Sequence, residues 1–343
     1  MDGFDLLRSL TEVHGPVGYE DGPRELVVSE FEQTVDRVRT DAMGNVVGTV
    51  EGDADGPELL VAAHMDEIGF MVTHVDDEGF LRVSSLGGWN AEVLRAARVR
   101  VHADGGDDPL DGVIGAIPAH VRDTEDEQDV DDVAIDVGLD GEAAAERVNV
   151  GDVVTMRAPT ERIGNCVSGK ALDDRAGVWA MLRAAELSDP ETTVHFVATT
   201  QEEVGLRGAE AVGVDIAPDV AIAVDGTLER SVPGVDAADR VTTLGDGVGI
   251  KQKDATVIPT PAVVDRLEAL AADRGIPSQR EVAANIGTDT GALQTAAGST
   301  PVGAVSIPVR YHHSTVETAH VDDLAATVEL LVAVAEAGAD GRY

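Results

Sequence analysis

The sequence predicts an α/β fold, a sheet covered by helices on both faces with a small β-rich domain inserted into it, and three observations carry that prediction. After Ala171, apolar strand-like runs alternate with stretches of helical periodicity, the pattern of one sheet flanked by helices. Between roughly 69 and 160 the texture changes to short β-branched runs broken by Gly and Asp, such as 97–102, 112–117 and 153–156. Two strand-like runs, 46–50 and 58–63, precede that segment, so they join the later strands in one sheet and the β-rich part is an insertion. The expected division is 1–68 with 161–343 for the sheet domain and 69–160 for the insertion. A chain of 343 residues exceeds the usual size of a single core, which fits two units.

The elements follow in order. Leu26, Val27, Phe31 and Val35 recur at helical spacing and predict a helix over 20–35. Beyond the insertion the pattern gives a helix over 174–187, strands at 193–199 and 220–224, a helix over 261–273, a strand at 302–308 and a closing helix over 321–337. Within the insertion, Asp123 to Asp132 carries seven acids in ten residues, which reads as an exposed loop. There is no internal repeat and no low-complexity tract.

Composition bounds the surface and the setting. Lys plus Arg total 25 against 64 Asp plus Glu, a formal charge of −39, whose self-repulsion weakens a compact state unless salt screens it. Only Lys170, Lys251 and Lys253 are lysines. The acids are spread along the whole chain rather than gathered for one cationic partner, so the balance reads as adaptation to a saline cytoplasm. It argues against nucleic acid as a partner. Cys166 is the single cysteine, so no intrachain disulfide forms and a reducing compartment fits. The start lacks a signal-peptide pattern and no apolar run approaches about 18 residues, so a cytoplasmic, non-membrane protein is expected.

Five short segments place a metal-type ligand after an apolar strand or at a strand-to-helix junction, where open α/β sheets build their sites. In Leu59-Leu60-Val61-Ala62-Ala63-His64-Met65-Asp66-Glu67, His64 can offer a neutral imidazole to a metal while Asp66 holds its other ring nitrogen. Alone, that pair reads equally as a hydrogen-bonded histidine at a sheet edge. In Lys170-Ala171-Leu172-Asp173-Asp174-Arg175 one carboxylate can bridge two cations; helix capping explains one Asp more readily than the pair. In Val197-Ala198-Thr199-Thr200-Gln201-Glu202-Glu203-Val204-Gly205 the paired acids come right after a buried strand, and one carboxylate can bind metal while its neighbour accepts a proton from water, unless both are merely solvated. Asp225 ends the run 220–224, and Arg310-Tyr311-His312-His313-Ser314 follows the last strand. Together His64, Asp173, Glu203, Asp225 and His313 form an imidazole and carboxylate set that suits zinc, cobalt or manganese and gives each of two metals a histidine.

The order and wording of these segments closely resemble family 42 of the metallopeptidases, the TET-type aminopeptidases that include glutamyl, leucyl and deblocking members. The resemblance runs through nearly the whole chain and takes in Gly87-Gly88-Trp89-Asn90, Val232-Pro233-Gly234, Gly287-Thr288-Asp289-Thr290-Gly291 and Arg310 to Glu317. It implies a zinc-peptidase-like catalytic domain, a dimerisation role for the insertion, and a hollow tetrahedral dodecamer built from six dimers. It further implies that two divalent ions, zinc or cobalt or else manganese, are held by His64, Asp173 and Asp225 and by Asp173, Glu203 and His313, with Asp173 bridging. Glu202 is then the general base and Asp66 the partner of His64, both counted as catalytic; Asp174 and His312 adjoin two of the ligands. Thr290 stands where the family often has Ala and Thr315 where Pro is common, differences that touch substrate contacts rather than proposed ligands.

The expected activity is hydrolysis of N-terminal residues from peptides, with a broad or neutral (Leu/Met) preference and a glutamyl preference as the alternative. A two-metal deacylase or carboxypeptidase shares the ligand chemistry, and a non-catalytic shell would need a missing base or ligand, which the sequence does not show.

Overall fold

The central strands are hydrophobic on both faces, and that alone requires two helical layers. A computed structural model describes residues 3–53, 56–103, 108–116 and 130–339. Every residue of the strand Leu59–His64 is buried. Leu59, Val61 and Ala63 join one core with Leu7, Leu10, Val27, Phe31, Val178, Leu267 and Leu331. Leu60 and Ala62 point the other way, onto Ala209, Val212 and Leu293. The first core is built by the helices Phe4–Glu12, Asp21–Thr34, Leu172–Leu187, Pro261–Arg274 and Val321–Ala337; Arg207–Ile216 and Asp289–Ala296 cover the opposite face.

Among the described residues the sheet has eleven strands. Its main path runs Arg37–Thr40, Val46–Val50, Val194–Thr199, Leu59–His64, Val220–Glu229, Val302–Arg310, Glu317–His320, Cys166–Gly169 and Glu161–Ile163. Val248–Lys253 pairs with both Val302–Arg310 and Ser278–Val282. Val194–Thr199, Leu59–His64, Val220–Glu229 and Val302–Arg310 are mutually parallel, so their carboxyl ends and the loops leaving them gather at one edge.

A second unit leaves the sheet just after His64. Gly69–Val75, Phe80–Leu86, Ala134–Asp136, Leu110–Ile114, Arg98–His102 and Val153–Met156 close into an antiparallel barrel. It has its own core of Phe70, Leu81, Val99, Ile135 and Val154 among others. Closure removes the exposed edges that short strands would otherwise present.

Several elements differ from expectation. The strand expected over 220–224 continues to Glu229, because Asp225, Gly226 and Thr227 stay in register with Ser306, Ile307 and Pro308; Asp225 is therefore inside the strand rather than past its end. The helix expected from 174 is assigned from Leu172, but Asp173 and Asp174 have non-helical backbones. Helices Phe4–Glu12, Arg207–Ile216 and Asp289–Ala296 and strands Val248–Lys253 and Ser278–Val282 have no counterpart in the sequence reading. Of the acidic run, Val130–Asp132 forms a single 3-10 turn and 123–129 lies outside the described residues. No helix of the described residues is long and apolar enough to cross a membrane.

A buried charge cluster fixes the root of the barrel. Glu67, between His64 and the first barrel strand, accepts from Lys170 Nζ at 2.6 Å and from the Gly15 amide at 3.0 Å. The Arg175 guanidinium beside it donates to the carbonyls of Leu10 at 2.6 Å and Gly15 at 3.2 Å. Removing one partner of such a pair strands the other in a dry interior, at a cost of roughly 3–5 kcal/mol. Lys170→Met is expected to destabilise the protein by about that amount, read from denaturant midpoints in concentrated salt; an unchanged midpoint would show that the pair is structurally idle.

Candidate metal centre

Loops from the parallel strands converge on Asp173. His64 closes its strand and directs Nε2 at Asp173 Oδ1, 3.4 Å away, and at Asp225 Oδ1, 3.7 Å away. From the other side His313 directs Nε2 at Asp173 Oδ2, 3.2 Å, and Glu203 Oε1, 3.4 Å. His312 reaches Asp173 Oδ2 at 2.9 Å and stacks on His313 with ring centroids 4.4 Å apart. Ligand atoms of His64, Asp173 and Glu203, of His64, Asp174 and Asp225, and of Asp173, His312 and His313 each lie within 4.8 Å of one another, close enough to hold a cation.

Hydrogen bonds sort the neighbours. Asp174 is engaged by the backbone: Oδ2 accepts the His64 amide at 3.2 Å and Oδ1 the Gly177 amide at 3.0 Å, the latter a helix-capping bond. Asp173 Oδ1 is buried and takes no hydrogen bond, so of the two carboxylates it is the one with an open coordination atom. His312 faces Asp173 alone, whereas His313 sits between Asp173 and Glu203.

Backbone carbonyls fix both imidazoles. His64 Nδ1 lies 3.2 Å from the Asp66 carbonyl and His313 Nδ1 lies 2.7 Å from the Gly88 carbonyl. A carbonyl only accepts, so Nδ1 carries the proton in each ring and Nε2 meets two carboxylates. A lone pair facing two carboxylates is tolerable only with a positive charge between them, either a proton or a metal ion. Burial opposes charge on His313, yet Asp173 and Glu203 push it up to about 12. The donors therefore fit divalent metal: two tautomer-fixed imidazoles, an open carboxylate oxygen between them, and flanking acids.

The surrounding acids tell the same story. Burial works against charge at Asp173, but His312, His313 and His64 hold it well below the usual carboxylate range. Burial raises Asp225 to about 6, Asp289 to about 7 and Glu317 to about 7, with neighbouring acids adding to the rise. Glu202 is pushed well above the usual range by burial and by Asp225, Asp289 and Glu203, against the pull of His64. Such a cluster is short of positive charge; a bound cation would bring the raised acids back down and hold Asp173 lower still.

The sequence reading gave Asp66 the role of holding the second nitrogen of His64. The structure gives that role chiefly to its carbonyl, the carboxylate Oδ1 standing at 3.5 Å from Nδ1. The Asp66 carboxylate accepts the amides of Glu202 at 3.1 Å and Glu203 at 3.2 Å, so it sets the turn that bears both acids. Glu317 had no assigned role; its oxygens accept the amides of His313 at 2.8 Å and Asp173 at 3.1 Å, tying two ligand loops together. Asp289 accepts the Thr199 hydroxyl at 2.5 Å beneath the same strand ends. Both acids lie in segments that carry the family resemblance, and their burial is the signal that a sequence alone hides.

Backbone strain marks the same place. Ala171, Gln201, Tyr311 and His313 adopt left-handed φ between 54° and 61°, each at or beside a ligand-bearing segment. Such conformations cost roughly 1–3 kcal/mol per residue and persist where surrounding structure enforces them.

The pocket against Asp173, Glu203 and His313 is walled by Ile68, Trp89 and Met156, so the barrel side contributes its apolar face.

Comparison with known proteins places the family and the fold. Residues 44–330 match the family described as M42 glutamyl aminopeptidase. The lysyl aminopeptidase of Pyrococcus furiosus is 34% identical over 346 residues, covering 98% of this chain and 97% of that protein. The structure of aminopeptidase APDkam598 from Desulfurococcus kamchatkensis superposes with a TM-score of 0.94 at 37% identity, over 97% of this chain and 94% of that one. That of the Pyrococcus horikoshii TET1 peptidase, described as assembling into a tetrahedron or a large octahedral shell, gives 0.84 at 33% identity, over 96% and 98%. With sequence and fold in agreement, the chain belongs to the M42 glutamyl aminopeptidase family.

Proposed function

We propose that this aminopeptidase works with two divalent ions, one held by His64, Asp173 and Asp225 and the other by Asp173, Glu203 and His313. The observation that carries the reading is the pair of carbonyl-fixed imidazoles on opposite sides of Asp173. Zinc, cobalt or manganese bound there would polarise the scissile carbonyl and acidify the attacking water. Glu202 takes the proton from that water and returns it to the leaving amine. Asp66 keeps Glu202 in place through its amide. The surplus of carboxylates offers a counter-charge to the substrate's free ammonium, which confines cleavage to the first residue.

For the first residue we infer a broad, neutral preference such as Leu or Met. Ile68, Trp89 and Met156 are the apolar residues beside Asp173, Glu203 and His313, and the nearby Lys170 is bonded to Glu67 at 2.6 Å rather than left to meet an acidic side chain. The family description names glutamyl substrates and the Pyrococcus furiosus relative is a lysyl enzyme, so preference varies within the family. Initial rates on aminoacyl chromogenic substrates in high salt, with added cobalt or zinc and then chelator, test this. Cleavage of N-acetylated controls would point to a deacylase, and no cleavage with two metals bound would leave a non-catalytic shell.

We also assign the barrel a dimerisation role and the whole a dodecamer built from dimers, on the likeness to the tetrahedral TET1 assembly. The division at 69–160 and a cytoplasmic, saline setting belong to the same reading, the latter supported by the charge of −39 and one cysteine.

Two outcomes follow. Glu202→Gln replaces the carboxylate with a carboxamide of the same shape and leaves the five proposed ligands untouched, so it should retain two metals yet lose about 10²–10⁴-fold in kcat; metal analysis beside kinetics checks this, and wild-type turnover would remove Glu202 from its role. Raising salt from about 0.1 M to about 1 M shortens the screening length from about 10 Å to about 3 Å, so Tm should rise substantially. A Tm that ignores salt would overturn the saline setting.

A further inference from the structure

The Gly87–Gly88 turn lies at the end of the barrel strand Phe80–Leu86, yet it touches two proposed ligands of one metal and neither of the ligands unique to the other. The Gly88 carbonyl accepts from His313 Nδ1 at 2.7 Å, which fixes the tautomer and aims Nε2 inward. At Gly87 an added Cβ would stand 3.2 Å from Glu203 Oε2 and 2.4 Å from Ile68 Cγ2, and φ is +81°, so the backbone there passes directly against the second ligand. The turn is braced from behind. Trp89 Nε1 donates to the Gly69 carbonyl at 3.0 Å, its ring stacks on Phe70 at 5.2 Å, and the Asn90 side chain accepts the Glu92 amide at 2.9 Å to cap the next helix.

We propose that this barrel turn is a positioning element for the ion of Asp173, Glu203 and His313, holding His313 through the Gly88 carbonyl and Glu203 through the close approach of Gly87. The ion of His64, Asp173 and Asp225 gets its equivalent fixation from the Asp66 carbonyl, within the sheet domain. The two ions share Asp173, but the imidazole of each is fixed by a carbonyl from a different part of the chain. This inference rests on the reading above that His313 and Glu203 are ligands.

The test titrates metal-free full-length protein with Co²⁺, following heat and the visible absorption of bound cobalt. Wild type should bind two ions. Gly87→Ala should bind the first as wild type does and the second about 10–100-fold more weakly, the usual cost of losing a ligand's outer partner. Gly138→Ala introduces the same left-handed strain in the barrel with no atom within 4 Å of the new methyl, and should bind both ions normally. Trp89→Phe keeps the stacking and removes the indole hydrogen bond, so it should weaken the same ion by less; it also decides the matter if Gly87→Ala does not fold. His313→Ala separates the two readings. If it still binds two ions, His313 is not a ligand; if it loses one while Gly87→Ala and Trp89→Phe bind both as wild type does, the role of the turn is overturned. Equal weakening of both ions in Gly87→Ala, as a purely structural role would give, overturns it as well.

Discussion

The structure depends on one costly arrangement, a buried carboxylate, Asp173, that two imidazoles address from opposite sides. Taking Asp173, Glu203 and Asp225 out of water is unfavourable unless positive charge is supplied on the spot. Among the described residues the ion pairs of these three acids are with imidazoles, Lys251 adds only a pull on Asp225 from further off, and the acids stay in excess. A site built this way could hold a cation, and with one bound its stability and its chemistry would answer to the same ion.

Holding that arrangement takes rigid supports, and the backbone supplies most of them. Carbonyls of Asp66 and Gly88 fix the rings, amides of Glu202 and Glu203 bind Asp66, and amides of His313 and Asp173 bind Glu317. Main-chain partners are placed by the sheet and cannot rotate away, which suits groups that must stay within a fraction of an ångström of productive geometry. The left-handed residues Ala171, Gln201, Tyr311 and His313 are the local cost, offset by burial of apolar side chains in the two sheet-flanking cores.

How much of this could be read from residues alone follows from where the signal lay. The central strands and the helix Val321–Ala337 were legible because long apolar runs and helical periodicity survive without tertiary context. His64, Asp173, Glu203, Asp225 and His313 stood out as polar residues beside those runs, and the structure brings all five together. Strands Val248–Lys253 and Ser278–Val282 were hidden because Lys251 and Glu281 are buried against each other at 3.1 Å, a pairing that makes core strands look like surface. The end of Val220–Glu229 was hidden for the same reason, since Asp225 and Thr227 are buried polar residues in a strand interior. The work of Glu317 and of the Asp66 carboxylate is to accept amides distant in sequence, which no local pattern can show.

The place of the insertion then acquires a physical reason. The barrel departs just after the segment bearing His64 and Asp66, and after its last strand the chain runs through two sheet strands, Glu161–Ile163 and Cys166–Gly169, into the segment bearing Lys170 and Asp173. Its departing root is tied by the buried Glu67–Lys170 pair to the segment that leads into Asp173, and its Gly87–Gly88 turn comes back to His313. A shift of the barrel as a body would therefore strain three ligand-bearing segments at once. Because close-packed elements move as units rather than deforming smoothly, a partner that grips the barrel in an assembly would also stiffen the metal centre beneath it.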